Sequence, residues 1–399
     1  MKNNYKDKCI KKMKIQMNEK KSEEPWKLPL YKIYTDDEDV NLITKIIKRG
    51  SNWAIGPEIE EFENAISNYV GVDYCAALNS GTSALHATLL AFGLGSGDEI
   101  LVPSFSFIST ANSVLFVNAT PSFIDIEEET LGLNPNLIEE KKSSLTKAII
   151  PMDYGGMSCK IPEIKEKAQE SNLLLIEDGA ESLGSSVNGK KVGSVSDATI
   201  FSFCGNKVLT TGEGGAVVTN SKEIIAKVKL IRSHGRLDHK NYFNDPSSPQ
   251  YLEVGYNWRM SSITASLGIA QLNKLEKIIK MRQENAQYLS SRLSKYPKIT
   301  VPNIPGGYEH IYQMYTVRLP DKQIRDELHD YLVKKRIFSK VYFEPIHKMD
   351  FYSKENSTVL PITEKISEQV LTLPMYPNME NEEKEYLIDS ISEFFEMNS

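Results

Sequence analysis

Between about Pro29 and Asn220 the chain alternates short apolar runs with amphipathic stretches, and this rhythm limits its fold more than any other feature. Tyr74–Leu78 has the length and character of a strand, and Thr82–Phe92 those of a helix. The cycle repeats through a strand at Glu99–Val102, a helix at Ile108–Asn118 and a strand at Pro121–Ile124. It repeats again through Ala148–Pro151, a helix at Ile161–Glu170 and a strand at Leu173–Glu177, with further β candidates at Phe201–Phe203 and Ala216–Thr219. Strand–helix–strand alternation predicts an α/β fold, a mainly parallel sheet between helices. In such sheets ligands collect beyond the carboxyl ends of the strands, so the residues just after each strand are the first candidates for a site.

The pattern changes after about Met260. Ser261–Leu293 has helical periodicity, with Ile263, Leu267, Ala270, Leu272 and Leu275 on one side. A strand at Met314–Leu319 and helices at Arg325–Lys335, Ile366–Leu371 and Glu382–Phe395 complete a smaller α+β unit. The expected organisation is a basic, disordered tail over 1–25, a large domain over 26–260 and a small domain over 261–399. The tail is rich in Lys and Asn and too poor in large apolar side chains to fold alone; a lysine-rich helix that touches a partner is the alternative. Met13 and Met17 are alternative starts.

A net charge of -6 argues against a dedicated nucleic-acid binder, which carries a basic footprint. No apolar run approaches the ~20 residues of a membrane-spanning helix, and no signal-peptide core is present. The four cysteines, Cys9, Cys75, Cys159 and Cys204, are scattered without CxxC spacing. A reducing cytoplasm and no zinc site are the expectations.

Three segments carry chemistry. Leu173–Ile176 runs into Glu177 and Asp178, placing Asp178 at the end of a central strand; an isolated Asp there is more often a helix cap. Phe201–Phe203 runs through Cys204-Gly205-Asn206 to Lys207, followed by the glycine-rich Thr210–Gly215. A lone lysine after a turn is usually solvated. Here aromatics and glycines imply a partly closed site, where shielding from water destabilises the ammonium, as an amine nucleophile needs. In Asn79-Ser80-Gly81-Thr82-Ser83 a strand turns into a helix whose first N–H groups are free to hold a phosphate or are simply capped. Phosphate cup, strand-end aspartate and downstream lysine are together the parts a pyridoxal-5′-phosphate (PLP) enzyme needs. Gly93-Leu94-Gly95-Ser96-Gly97 follows a helix, and so reads as a helix stop rather than a dinucleotide fingerprint.

With GPEIEEFE (Gly56–Glu63), Asn79–Phe107, IEDGAESLG (Ile176–Gly184), Phe201–Asn220 and Val254–Leu272, the chain resembles the DegT/StrS family of sugar aminotransferases from about Pro29 onward. The resemblance implies the fold type I, aspartate-aminotransferase-like architecture with a seven-stranded-type sheet. It implies PLP as cofactor, Lys207 as the Schiff-base lysine and Asp178 as partner of the pyridine nitrogen. It implies Thr82, Ser83 and Ser202 at the phosphate and Phe107 stacked on the ring. Asn257 would reach the phosphate of the neighbouring subunit, which implies a homodimer with shared sites. Two positions depart from the family pattern. Glu181 stands where His or Gln is common near the cofactor's 3′-oxygen, and a carboxylate there would repel a phenolate unless protonated or turned away. Cys204 replaces an aromatic or His and is expected to pack.

The implied reaction transfers an amino group from L-glutamate to a nucleotide-linked keto-sugar for glycan biosynthesis. Lys207 argues against the dehydratase members of the family, which carry His there. The run Thr210–Gly215 resembles members acting at C4 of 4-keto-6-deoxyhexoses, and Gly205-Asn206-Lys207 resembles the perosamine synthase branch. Action at C3, or a PLP-binding regulator without turnover, are the alternatives. UDP, GDP and dTDP all fit. Trp53, His310 and Tyr312 either line a sugar site or pack.

Overall fold

Residues that alternate between two apolar faces along a strand require cover on both sides of the sheet. The computed structural model, which describes residues 25–236, 250–353 and 358–397, supplies that cover. Seven strands form one sheet: β1 (Tyr74–Leu78), β2 (Glu99–Pro103), β3 (Thr120–Ile124), β4 (Thr146–Ile149), β5 (Leu174–Asp178), β6 (Ala198–Ser202) and β7 (Gly215–Thr219). Their order is β1-β7-β6-β5-β4-β2-β3. Of the seven, β7 alone runs opposite to the other six.

Helices in the first part of the chain are α1 (Asp37–Arg49), α2 (Pro57–Val70), α3 (Gly81–Ala91), α4 (Ile108–Phe116), α5 (Ile161–Glu170), α6 (Lys222–Ile231) and α7 (Ser262–Asn273). Ile100, Val102, Ile176 and Ile200 meet Leu85, Leu89, Val114 and Val228 of α3, α4 and α6 on one face. Leu101, Ile149 and Leu175 meet Ile161 and Ile164 of α5 on the other. Phe201 and Val218 meet Phe62 and Ile66 of α2 and Ala265 of α7 on that same side.

The rest of the chain builds a second core. Strands β8 (Tyr315–Arg318) and β9 (Val370–Leu373) pair antiparallel. Around them lie α8 (Leu275–Leu293), α9 (Lys322–Lys334), α10 (Pro361–Gln369) and α11 (Asn381–Met397). Leu28 belongs to this core, among Leu289, Leu332, Ile337 and Leu387. Its backbone bridges Ile337, and Leu30 O accepts from Met375 N at 3.1 Å.

Two elements differ from the sequence expectation. The single helical run over 261–293 is two helices, broken at Lys274. The Lys274 ammonium is drawn in to Asp36 and to Asp39 (2.9 Å), carboxylates that helical periodicity does not register. The helix expected at Ile366–Leu371 ends at Gln369, and Val370–Leu373 becomes β9 because β8 offers it a pairing edge. The tail expected over 1–25, with Cys9, Met13 and Met17, lies outside the described residues except for Pro25. Among the described residues no helix is long and apolar enough to cross a membrane.

The edge strand β1 is closed by side chains. Buried Glu63 accepts from Ala77 N at 2.9 Å and pairs with Arg232, which donates to Ala77 O at 2.6 Å. Lys229 approaches the same carboxylate at 2.8 Å. Burial opposes ionisation of Glu63, but Arg232 and Lys229 outweigh it and hold the carboxyl below its ordinary range. The Arg232 carbonyl accepts from Trp258 N at 2.9 Å, so the same knot fixes the return of the chain past β1. Breaking a buried pair leaves an uncompensated charge, so Glu63→Ala should cost about 3–5 kcal/mol. Denaturant unfolding would measure this; a loss below about 1 kcal/mol would mean Arg232 finds water or another partner.

Candidate active site

The carboxyl ends of β1, β5 and β6 converge on one region. Asp178 is the last residue of β5 and only 2% exposed. Its backbone is fixed by Pro151 O and Asp153 N, at 2.9 and 3.1 Å. Thr110 Oγ1 donates to Asp178 Oδ2 at 2.7 Å and Ala180 N donates to Oδ1 at 3.3 Å. Burial raises the Asp178 pKa to about 6 against these two hydrogen bonds and the charge of Lys207, while the Glu181 charge adds to the rise. A buried carboxyl in this state is ready for a cation to complete it.

Lys207 lies in the turn that leaves β6, its N–H bonded to Cys204 O at 2.9 Å. Its side chain is 13% exposed, and Nζ meets Glu181 Oε1 at 3.1 Å. Gly155 N donates to Glu181 Oε2 at 3.0 Å. The carboxylate at the departing position is thus turned toward the lysine amine. On either side of Lys207 the backbone is held by Gln313: Val208 N donates to Oε1 and Nε2 donates to Asn206 O, both at 2.8 Å. Tyr31, Lys32 and Tyr34 line a small cavity behind this turn together with Gly205 and Lys207.

The start of α3 is an open cup. Ser80 caps it, accepting from Ser83 N at 3.1 Å and sharing a 2.9 Å hydrogen bond with Ser83 Oγ. Gly215, the first residue of β7, makes the close fit: a Cβ there would fall 2.5 Å from the Ser80 backbone. Ser202 packs on Gly81, where an added Cβ would stand 3.0 Å from Ser202 Cβ. Thr82 and Ser83 thus lie in the first turn of α3, with Ser202 against Gly81 at its start.

Phe107 precedes α4, is 56% exposed, and its ring centroid lies 6.4 Å from that of Phe343. Asn257 sits on the exposed surface, bridged to Ser233. The rings of its neighbours Tyr256 and Trp258 stack at 3.9 Å and lie against His86 of α3. Cys204 places its sulfur 3.8 Å from Glu213 Oε1. The rings of His310 and Tyr312 stack at 4.1 Å, His310 Nδ1 accepts from Tyr312 N at 2.8 Å, and both residues line a cavity. Trp53 is half-exposed and donates its indole N–H to Ile46 O at 3.1 Å.

Thr110, Gly155 and Gln313 escaped the sequence reading. Thr110 sits three residues after Phe107, one turn into α4, and that spacing is a signal. Gln313 stands alone as an amide among the apolar residues leading into β8, another usable signal.

A family model described as the DegT/DnrJ/EryC1/StrS aminotransferase family matches residues 34–392. The chain belongs to this aminotransferase family. The GDP-perosamine synthase of Escherichia coli O157:H7 is 36% identical over 340 residues, 85% of this chain and 91% of that one. The GDP-perosamine synthase of Caulobacter vibrioides is 37% identical over 329 residues, 82% of this chain and 87% of that one. Among solved structures, Helicobacter pylori PseC, an aminotransferase involved in the biosynthesis of pseudoaminic acid, matches with TM-score 0.86 and 28% identity, covering 93% of this chain and 99% of that one. The protein is a sugar aminotransferase of the DegT family. PLP, which the family implies, fits the residues present: an enclosed amine, a buried carboxyl short of a cation, a helix N-terminus with hydroxyls in its first turn and an exposed aromatic ring.

The Asp178 pKa has a consequence for the cofactor-free chain. Because it lies above 3.8, the folded form holds the extra proton between about pH 4 and 6. The associated stability is fully present below about pH 4 and lost as pH rises through about 6, a change of about 3 kcal/mol. Asp178→Asn does not titrate, so its stability relative to the parent should rise by about that amount between pH 4 and 7. Unfolding curves at several pH values would measure it; a constant difference would mean the carboxyl is not desolvated.

Proposed function

We propose that this family member moves an amino group from L-glutamate to C4 of a nucleotide-linked 4-keto-6-deoxyhexose, with PLP as cofactor. The observation that carries the reading is the Lys207 amine held at 3.1 Å by Glu181, beside a buried Asp178 at the end of β5. The two GDP-perosamine synthases support a sugar linked to GDP.

Each residue has a task in this reading. Bound PLP supplies an electron sink for the carbanion formed when the substrate loses a proton. Lys207 bonds the cofactor and, once released, takes and returns that proton at Nζ. Asp178 would pair with the protonated ring nitrogen, which would complete its own buried charge. Thr82, Ser83, Ser202 and the first N–H groups of α3 hold the phosphate. Phe107 would hold the ring by stacking. Glu181, already bonded to Gly155 N, receives the Lys207 ammonium between steps. Asn257 serves the phosphate of a neighbouring copy, which makes the active form a homodimer. The proposed compartment is the cytoplasm, in keeping with the free thiols Cys75, Cys159 and Cys204.

Absorbance of the PLP-loaded protein tests this. L-Glutamate should bleach the band of the lysine-linked cofactor, and a GDP-linked 4-keto-6-deoxyhexose should restore it. Restoration only by a 3-keto isomer would move the chemistry to C3, and no response to glutamate would remove it as donor. Lys207→Ala should show neither the band nor turnover; near-normal turnover would refute the role of Lys207.

A further inference from the structure

We infer that Gln313 is a positioning residue for Lys207, fixing the backbone from which the reacting amine swings. This rests on the reading of Lys207 as the residue that bonds the cofactor.

The turn that carries Lys207 has no strand partner, and the lysine's own N–H reaches only Cys204 O. One side chain takes the place of a partner strand. The Gln313 amide accepts from Val208 N and donates to Asn206 O, so both peptide neighbours of Lys207 are bonded to it at 2.8 Å. The orientation of the amide is fixed by its partners, since a backbone N–H only donates and a C=O only accepts. At 6% exposure the amide faces little competition from water.

Gln313 is itself held on both sides. Tyr312 adopts φ 50, in the left-handed region, and its carbonyl accepts from buried Arg282 at 2.9 Å. Gly156, at φ 104, lets the loops touch: a Cβ there would lie 2.6 Å from Gln313 N. Ile311 N donates to Gly156 O and Met314 N to Gly155 O, each at 2.9 Å. Gly155 N in turn holds Glu181, and Glu181 holds the Lys207 amine. One pair of loops therefore grips the lysine twice, at its backbone through Gln313 and at its tip through Glu181. A lysine with four side-chain torsions must find one carbon of the cofactor each time it returns. A fixed base shortens that search, and misplacement of a reacting group by about 1 Å costs on the order of a hundred-fold in rate.

The test uses the full chain stripped of cofactor. Gln313→Met keeps the length and loses both hydrogen bonds. After PLP is added, the band of the lysine-linked cofactor should appear about ten-fold more slowly than in the parent. Affinity for pyridoxamine phosphate, which makes no bond to the lysine, should stay unchanged. A parent-like rate, or an equal loss in both measurements, overturns the inference. Should circular dichroism show that Gln313→Met does not fold, Gln313→Glu decides by the same split, since it keeps the acceptor for Val208 N and loses the donor to Asn206 O. Lys207→Ala, run alongside, separates the two readings. A band formed without Lys207 sinks the cofactor assignment and this inference with it. A normal parent band with an unchanged Gln313→Met rate sinks the inference alone.

Discussion

A lysine and a glutamate that neutralise each other where little water reaches are the constraint around which this site is arranged. An isolated charge in such a place would be strongly disfavoured. Pairing Lys207 with Glu181 removes most of that penalty, and Gly155 N satisfies the oxygen that the lysine leaves free. The pair then dictates its surroundings. Glycine is needed at 156 so that the loops can touch, and a carboxylate at 181 must be oriented away from the ring it would otherwise repel.

The sheet makes such a pair affordable by bringing several strand ends to one edge. β5 delivers Asp178, β6 delivers Ser202 and the lysine turn, and β1 delivers the start of α3. β7, inserted against the run of its neighbours, starts at the glycine that allows the cup to close on Ser80. At the outer edge, Glu63 and Arg232 bind the exposed side of β1 and hold the segment that presents Asn257. The cup and the Asn257 segment also meet at His86, whose ring lies against Tyr256 and Trp258. A shift of α3 would therefore be felt at both places.

What was legible in the sequence was local. Alternating strands gave the parallel sheet because burial on two faces leaves a continuous apolar signature; strand-end position singled out Asp178, and flanking aromatics and glycines singled out Lys207. Thr110 acts on a carboxylate 68 positions away and Gln313 on a peptide 105 positions away, and no periodicity encodes such distances. The break at Lys274 and the conversion of Val370–Leu373 into a strand were missed for the same reason, since remote carboxylates decide one and a remote edge the other. The orientation of Glu181 was open on sequence because it turns on a neighbour, Gly155, that the sequence did not mark.

Leu28 gives the chain a particular order of events. It is wholly buried among side chains drawn from positions 286 to 395, and its backbone pairs with Ile337. All of those partners follow Leu28 in the chain, so the segment around it cannot be covered until they have been made. The second core closes only when residues as far along as Phe395 have folded. It then pulls the early segment across the back of the lysine turn, where Tyr31 and Tyr34 line the cavity. Closure of the second core and closure of this cavity are thus coupled through one short segment.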